Sequence, residues 1–292
     1  MKIKKCRICN SKSLRSLFSL GKMKFTGKFP KKNQSIPSGD VDLVLCDKCK
    51  LVQLKDNFNL KYLYNKDYGY RTGINLTMRK HVKSVVKKIS KKVNLKKKDC
   101  VLDIASNDGT LLSYYKKDVI TFGIDPLVNK YKNNYKNNKF KISDFFSYKN
   151  ISRVDKDIKF KAITALSVFY DIKNPKKFLG DIKKVLHKDG IFNLEFADLR
   201  LILKNNMFDT ICHEHLEYYS VKSLKYLMDL ANLKIINISF NQINGGSISL
   251  DVVKKKSKYN ENKVLINWLL LREKINGFND LKTQKNFFTK CK

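Results

Sequence analysis

The 292-residue chain is long enough to bury a sizeable core in one or two domains, and its 42% hydrophobic content excludes a disordered chain. It has no apolar run of roughly 18 residues or more and no apolar segment behind its basic start, so we predict neither a membrane span nor a signal peptide. The formal charge of +35 comes from lysine interleaved with asparagine along the whole chain, which does not indicate a nucleic-acid site but would attract an anionic substrate. We expect a cytoplasmic protein whose seven cysteines are metal ligands or free thiols.

Four of the cysteines form two C-x-x-C pairs near the amino terminus. "CRIC" contains Cys6 and Cys9, and "CDKC" contains Cys46 and Cys49. Two such pairs deliver four thiolates to one tetrahedral zinc ion, and four thiolates leave no open position for catalysis. We therefore predict a structural zinc-binding subdomain over residues 1–60, with free thiols or a redox pair as the alternatives.

Residues 61–98 are predicted to form a helical linker or cap. Apolar residues recur at helical spacing from Met78 to Ile89, which predicts a helix over residues 74–92. The preceding "DYGYRTG" carries two tyrosines, an arginine and two glycines. This composition fits either a turn with half-buried tyrosines or a cap over a ligand, with Tyr70 as a candidate substrate contact.

The stretch "DCVLDIASNDGTLLSYY" (99–115) reads as a buried strand, a tight turn and the start of a helix. "VITFGIDP" then forms a second strand ending at Asp125, an order typical of folds in which the acid binds ribose hydroxyls. Only Gly109 stands where a pyrophosphate loop needs several glycines, so S-adenosylmethionine fits better than a dinucleotide; a generic α/β turn is the alternative. The predicted cofactor contacts are Asp103, Ser106, Asn107, Gly109, Asp125 and Pro126, with Asp144 and Phe145 at the adenine.

Strands and helices continue to alternate after residue 139. "FKAITALSVFYDI" and "IFNLEFA" are predicted strands, and "PKKFLGDIKKVLHKDG" between them is a predicted helix ending at Gly190. A helix, "VKSLKYLMDLANL", and a strand, "KIINISFNQINGGSISLDVV", follow. This pattern predicts an α/β domain over residues 99–240 with a parallel or mixed sheet and helices on both faces, followed by a partial domain over 241–292.

"DTICHEHLEYYS" (209–220) contains two of the four histidines. His213 and His215 are two residues apart, whereas the H-E-x-x-H metal motif places its histidines four apart on one helix face. In an extended segment the two histidines would share one face and Glu214 would lie on the other. We therefore do not predict a catalytic zinc site. Two interpretations of this segment remain, an acid–base site and a polar edge strand.

Together with "SDFF" and "NGGSISL", these motifs resemble those of the zinc-containing sugar C-methyltransferases. They occur in the same order, over roughly residues 6–253. The resemblance implies a class I methyltransferase Rossmann-like sheet, S-adenosylmethionine as cofactor and a nucleotide-linked 4-keto deoxysugar as substrate. It implies that His215 is the base that forms an enolate and that Glu214 binds the sugar or orients the site, while His213 is structural. It also implies a substrate-binding turn formed by Gly245, Gly246 and Ser247.

Three positions depart from that family. Relatives have a tyrosine before H-E-H and histidines after the fourth strand and before G-G-S, where this chain has Cys212, Asp171 and Asn244. Relatives also continue for about a hundred further residues, a full domain. The resemblance thus implies a second chain that completes the sugar domain, or a truncated, inactive or partner-dependent binding module. The residues are also compatible with O- or N-methylation of a sugar or another small molecule, and with methylation of nucleic acid.

Overall fold

The computed structural model describes residues 2–26, 35–64, 68–135 and 139–290, the side chains of residues 60 and 61 aside. Their strands are β1 (Leu14–Lys24), β2 (Ser38–Cys46), β3 (Val52–Leu54), β4 (Cys100–Ile104), β5 (Ile120–Ile124), β6 (Phe140–Ile142), β7 (Phe160–Leu166), β8 (Leu186–Ala197), β9 (Glu217–Tyr218), β10 (Leu233–Asn241) and β11 (Ser247–Lys254). The helices are α1 (Leu60–Leu63), α2 (Leu76–Lys92), α3 (Tyr148–Ser152), α4 (Pro175–Val185), α5 (Leu199–Asn205), α6 (Val221–Leu230), α7 (Lys263–Ile275) and α8 (Leu281–Lys290).

The larger sheet has seven strands in the order β10-β11-β8-β7-β4-β5-β6. The five strands from β8 to β6 run parallel, and β11 pairs antiparallel with both β8 and β10. The predicted mixed α/β sheet is therefore confirmed. Since β5 lies on one side of β4 and β7 on the other, the chain reverses its direction of travel across the sheet at β4. Ligands of such sheets bind in the crevice beyond the carboxyl ends of the strands at this point.

The smaller sheet has the order β1-β2-β3-β9, and every neighbouring pair in it is antiparallel. Its first three strands come from the amino-terminal segment, but β9 comes from the H-E-H region. Val52 pairs with Tyr218, and Gln53 pairs with Glu217. The segment between α5 and α6 therefore connects the two sheets, and H-E-H lies at their junction.

A buried ion pair reinforces this junction. The Arg7 Nε atom lies 3.5 Å from Glu217 Oε1, and both side chains are almost fully buried. The same guanidinium donates hydrogen bonds to the carbonyl oxygens of Leu54, at 2.5 Å, and Asp56, at 3.0 Å. Arg7 thus lies next to the Glu217 carboxyl group of one segment and is hydrogen-bonded to carbonyl groups of the other, which favours one arrangement of the two segments.

Helix α2 confirms the prediction of a helix over residues 74–92. It begins after Asn75, whose side chain accepts a hydrogen bond from the Met78 N–H, as an N-cap does. Val82, Val86 and Ile89 form its buried stripe against the sheet. Helix α6 is likewise confirmed and begins with a capping box at its first turn. None of the helices in the described parts of the chain has the length and apolar character needed to cross a bilayer.

One helix prediction is wrong, and another places the end of its helix too late. The helix expected after Gly109 is a single 3-10 turn at Leu112–Tyr114, because the chain becomes extended at Tyr115, with φ −73° and ψ 153°. The helix expected to end at Gly190 is α4, which ends earlier; Gly190 lies in β8, where a side chain would meet the backbone of β7.

The strand predicted over "KIINISFNQINGGSISLDVV" is a hairpin of β10 and β11. The N-G-G-S turn between them matches the prediction, with Asn244 at φ 53° and Gly245 at φ 78°, in the left-handed region that glycine favours. Strand β11 lies between β10 and β8 in the larger sheet. The boundary predicted at residue 240 therefore falls inside β10, which is paired with β11 in one sheet.

Candidate active site

A cavity of about 980 Å³ lies at the carboxyl ends of β4, β5 and β7. It is large enough for a cofactor and a small substrate together. Its wall includes Thr26 from the amino-terminal segment, so both sheets contribute to it. The predicted site residues in its wall are Tyr70, Asp103, Ser106, Asn107, Asp125, Pro126, Asp144, Phe145, Glu214 and His215.

The loop after β4 has an unusual backbone. Ala105, Asn107 and Gly109 have φ values of 57°, 51° and 76°. A left-handed conformation at a residue other than glycine costs free energy, so neighbouring groups must hold it. Asp125 does so, since its Oδ2 accepts the Asn107 N–H at 3.0 Å while its Oδ1 accepts the Leu127 N–H at 2.6 Å. Each oxygen keeps a second lone pair, which is what a ribose-binding carboxylate requires.

Tyr135 packs behind this loop. Its hydroxyl donates to the Asn107 carbonyl at 2.7 Å and lies 2.8 Å from Ser106 Oγ. A Cβ atom at Gly109 would lie 2.9 Å from the Tyr135 ring, and one at Gly123 would lie 2.8 Å from it. Gly109, predicted as a cofactor contact, is absent from the described cavity wall and instead allows the tyrosine to approach.

Sequence reasoning missed Tyr135. It lies in "KYKNNYKNNKF", a segment whose composition matches the lysine and asparagine bias of the whole chain. No local pattern distinguishes it, because its role comes from packing against glycines that are distant along the chain.

Asp103 is the penultimate residue of β4 and lies beside the same loop. Thr164 Oγ1 donates to its Oδ1 at 2.6 Å. Burial raises the pKa of Asp103 to about 7, which the threonine hydrogen bond opposes. The protonated form of this carboxyl group is therefore favoured by its burial in the cavity wall.

The segment before α2 covers the loop. Arg71 Nε donates to Asp108 Oδ2 at 3.0 Å, and the Thr72 N–H donates to Asn107 Oδ1 at 3.0 Å. Asn107 in turn donates to the Tyr70 carbonyl oxygen at 3.1 Å. These bonds favour the interpretation of "DYGYRTG" as a cap, in its described part, over that of an isolated turn.

His215 has one defined tautomer. Its Nδ1 lies 2.7 Å from the Thr210 carbonyl oxygen, and because a carbonyl only accepts, Nδ1 carries the hydrogen and Nε2 the lone pair. Tyr170 packs on the imidazole with ring centroids 4.1 Å apart. Burial lowers the pKa of His215 below its usual value, so the ring is neutral at pH 7. Within the described ranges nothing hydrogen-bonds Nε2.

His213 and Glu214 face other surroundings. The His213 Nε2–H donates to the Gly39 carbonyl oxygen at 3.1 Å, and its ring lies 4.8 Å from those of Phe25 and Phe58. His213 is therefore part of the packing between segments, whereas Glu214 is in the cavity wall and accepts a hydrogen bond from Thr26 Oγ1. The expectation that both histidines share one face of an extended segment is wrong, because the chain bends between a 3-10 turn and β9.

The predicted substrate turn lies behind the cavity wall. Gly245, Gly246 and Ser247 are absent from the described lining, while the adjacent Asn244 is in it. A side chain at either glycine would collide with Met207 or Leu201. The glycines therefore let the turn pack closely against Leu201 of α5 and Met207. Asn244 is the residue of this turn that lines the cavity, and its Nδ2 donates to Ser167 Oγ at 3.1 Å.

The four predicted zinc ligands converge at the base of the smaller sheet. All four Sγ atoms lie within 4.8 Å of one another, with Cys6 and Cys49 separated by 3.5 Å and Cys9 and Cys46 by 3.4 Å. Zinc–sulfur bonds of about 2.3 Å in a tetrahedron place sulfurs roughly 3.8 Å apart. The cysteines thus fit a closed structural zinc site, which is separate from the cavity.

Comparison with family models agrees with this division of the chain. A model described as "Methyltransferase domain" matches residues 67–238, and one described as "Putative zinc binding domain" matches residues 6–64. Since the first match covers more than half of the chain, the protein belongs to the methyltransferase domain family of S-adenosylmethionine-dependent enzymes, and it carries a zinc-binding domain before it.

Among curated proteins, the chain is similar to the C-methyltransferase NovU of Streptomyces niveus, with 26% identity over 256 residues that cover 84% of this chain and 60% of NovU. The chain therefore spans less than two thirds of that relative. Solved structures similar to it include the plantazolicin methyltransferase BamL (15% identity, 62% of this chain, 87% of that chain, TM-score 0.49). Another is an S-adenosylmethionine-dependent methyltransferase from Clostridium acetobutylicum ATCC 824 (14% identity, 60% and 92%, TM-score 0.47).

Proposed function

We propose that this protein transfers a methyl group from S-adenosylmethionine to the carbon next to the ketone of a nucleotide-linked 4-keto deoxysugar. The observation that carries the proposal is the tautomer of His215, a residue of the cavity wall whose Nε2 is left unprotonated. The similarity to a C-methyltransferase supports carbon as the acceptor.

Carbon next to a ketone becomes a nucleophile only after it loses a proton. The neutral His215 imidazole accepts that proton at Nε2, and the Thr210 carbonyl stabilises the resulting imidazolium through the Nδ1–H. Glu214, held by Thr26, accepts a hydrogen bond from a sugar hydroxyl and so orients the acceptor carbon. The loop after β4 and Asp125 hold the cofactor, which supplies the methyl group.

The first experiment measures transfer of labelled methyl from S-adenosylmethionine to TDP- and GDP-linked 4-keto-6-deoxyhexoses and to their 4-hydroxy counterparts. We expect label only on the keto sugars, bonded to carbon, because a hydroxy sugar forms no enolate. Label on the oxygen of hydroxy sugars would replace this proposal with O-methylation. Absence of label from both sets, with cofactor binding intact, would contradict activity of this chain alone.

We also propose that a further polypeptide, a second chain or a domain, completes the sugar site. Val264, Trp268, Leu271 and Ile275 recur every three or four residues on α7 and are 83%, 56%, 54% and 66% exposed. Such an apolar stripe is typical of a covered surface.

The probe for this proposal is the part of NovU that this chain does not match. We expect it to co-sediment with the chain, and we expect the Trp268→Glu substitution to abolish the complex. Independent sedimentation of the unmodified proteins would contradict the proposal.

A further inference from the structure

Asp171 is a buried carboxyl group in the cavity wall with one oxygen unpartnered. The residue is 5% exposed and follows β7 in a 3-10 turn. The Tyr64 hydroxyl donates to its Oδ2 at 2.6 Å, whereas Oδ1 has no hydrogen-bond partner within residues 2–26, 35–64, 68–135 and 139–290. A buried polar atom without a partner costs roughly 1–3 kcal/mol, which a ligand group bound in the cavity would recover.

The turn that carries Asp171 is fixed against the segment that carries His215. The Leu216 N–H donates to the Tyr170 carbonyl oxygen at 2.8 Å, and the Tyr170 ring packs on the His215 imidazole. Both residues therefore belong to one wall of the cavity.

The surroundings of Asp171 favour its protonated form. Burial is the main reason that the pKa of this carboxyl lies well above its usual range; the Tyr64 hydrogen bond opposes the shift, and the neighbouring Glu214 carboxylate adds to it. Because Oδ2 accepts from Tyr64, the free Oδ1 is the position for the proton. A neutral carboxylic acid in an apolar site acts as a hydrogen-bond donor.

We propose that Asp171, backed by Tyr64, is the catalytic group that binds the ketone oxygen of the substrate while His215 removes the adjacent proton. This inference rests on the proposed function. The α C–H bond breaks, its proton moves to Nε2, and its electron pair forms a carbon–carbon double bond. The carbonyl π electrons move onto oxygen, which accepts the hydrogen bond from Asp171 Oδ1–H. Asp171 keeps its proton throughout, so the step needs no further reactant.

Enolate formation can be measured without the methyl donor. In D₂O, exchange of the α-proton of TDP- and GDP-linked 4-keto-6-deoxyhexoses is followed by NMR. We expect Asp171→Ala to slow exchange by about 10²–10³-fold, as loss of one oxyanion donor does, with little change in sugar affinity. Asp171→Asn, whose amide N–H still donates, should recover at least about tenfold of this loss. Asp181→Asn is the matched control, since Asp181 is another buried aspartate in the wall but pairs with Lys177.

The outcomes separate the inference from the proposed function. Exchange in Asp171→Ala within about threefold of the wild-type rate overturns the inference and leaves His215 as the base. Parallel loss of sugar affinity and exchange in both Asp171 variants also overturns it, because Asp171 would then hold the sugar or the fold. If the wild-type protein binds S-adenosylmethionine but exchanges no keto sugar, the proposed function fails and the inference fails with it.

Discussion

His213 and His215 are separated by one residue and serve different parts of the molecule. His213 is 1% exposed and packs against phenylalanines of the amino-terminal segment, whereas His215 is part of the cavity wall and has an unprotonated Nε2. The motif alone does not distinguish them, because histidine is both a packing residue and a base. Backbone carbonyls decide the tautomer of each ring, and these carbonyls come from Gly39 and Thr210.

A pH prediction follows from His215. Its pKa is lowered, so the active neutral ring persists below the usual value of 6.5 and is lost as the pH falls through the lowered pKa. We expect kcat/KM for methyl transfer to be flat from neutral pH down to about 6.5 and to fall only below it. A pH–rate profile measures this fall in kcat/KM at acid pH. The His215→Ala variant should have no measurable rate at any pH. A fall in rate that begins above pH 7 would contradict His215 as the base.

Tyr135→Phe tests whether Tyr135 supports the loop after β4, which we propose holds the cofactor. The substitution removes the hydroxyl that hydrogen-bonds Ser106 and Asn107. It keeps the aromatic ring that packs against Gly109 and Gly123. We expect S-adenosylmethionine affinity to fall about fivefold to tenfold, the effect of one buried hydrogen bond of about 1 kcal/mol. Titration calorimetry measures the change, and Tyr131→Phe is the control from the same segment. Equal affinities in the two variants would show that the loop does not depend on Tyr135.

At the scale of elements, the two C-x-x-C turns and the strands between them form a unit whose sulfurs converge without forming disulfides. The prediction of a metal site from spacing succeeds because each turn fixes its own pair. The prediction of a helix after Gly109 fails although helical apolar spacing is present, because the chain becomes extended at Tyr115. Apolar spacing alone does not show where the backbone leaves the helical region.

Metal analysis tests the zinc unit. We expect one zinc per chain in the wild-type protein, and Cys46→Ser should lose the metal and lower the unfolding free energy by about 4 kcal/mol or more, since loss of a structural metal is among the largest single-site effects. Cys100→Ser, at a half-buried strand start outside the cluster, should retain zinc. Full zinc content in Cys46→Ser would exclude the four-thiolate site.

At the scale of the whole molecule, β9 places the H-E-H segment between the two sheets. Its pairing with β3 brings Glu217 to Arg7, and the same connection presents Glu214 to Thr26. The zinc-binding domain therefore supplies part of the cavity wall, although its four cysteines are not among the described lining residues. Removal of that domain should impair the site as well as stability.

Arg7→Ala tests this junction. It leaves Glu217 buried without its partner and the carbonyls of Leu54 and Asp56 without this donor, so we expect the unfolding free energy to fall by about 3–5 kcal/mol. Urea unfolding measures the difference. Arg15→Ala is the control, because Arg15 pairs with Asp47 on the exposed surface of the same domain and should have a far smaller effect. Similar losses in both variants would mean that the buried pair does not hold the sheets together.

Several features of this protein are determined by the sequence itself. The cysteine pairs, the strand and turn that lead to Asp125, and the helices α2 and α6 depend on neighbours a few residues away, and spacing or capping residues reveal them. Only the tertiary structure decides that Tyr135 supports the loop, that Asn244 rather than the adjacent glycines reaches the cavity, and that Asp171 is left with a free oxygen. The physical reason is that burial, hydrogen-bond partners and close approach are properties of pairs of segments far apart in the chain, which no local pattern specifies.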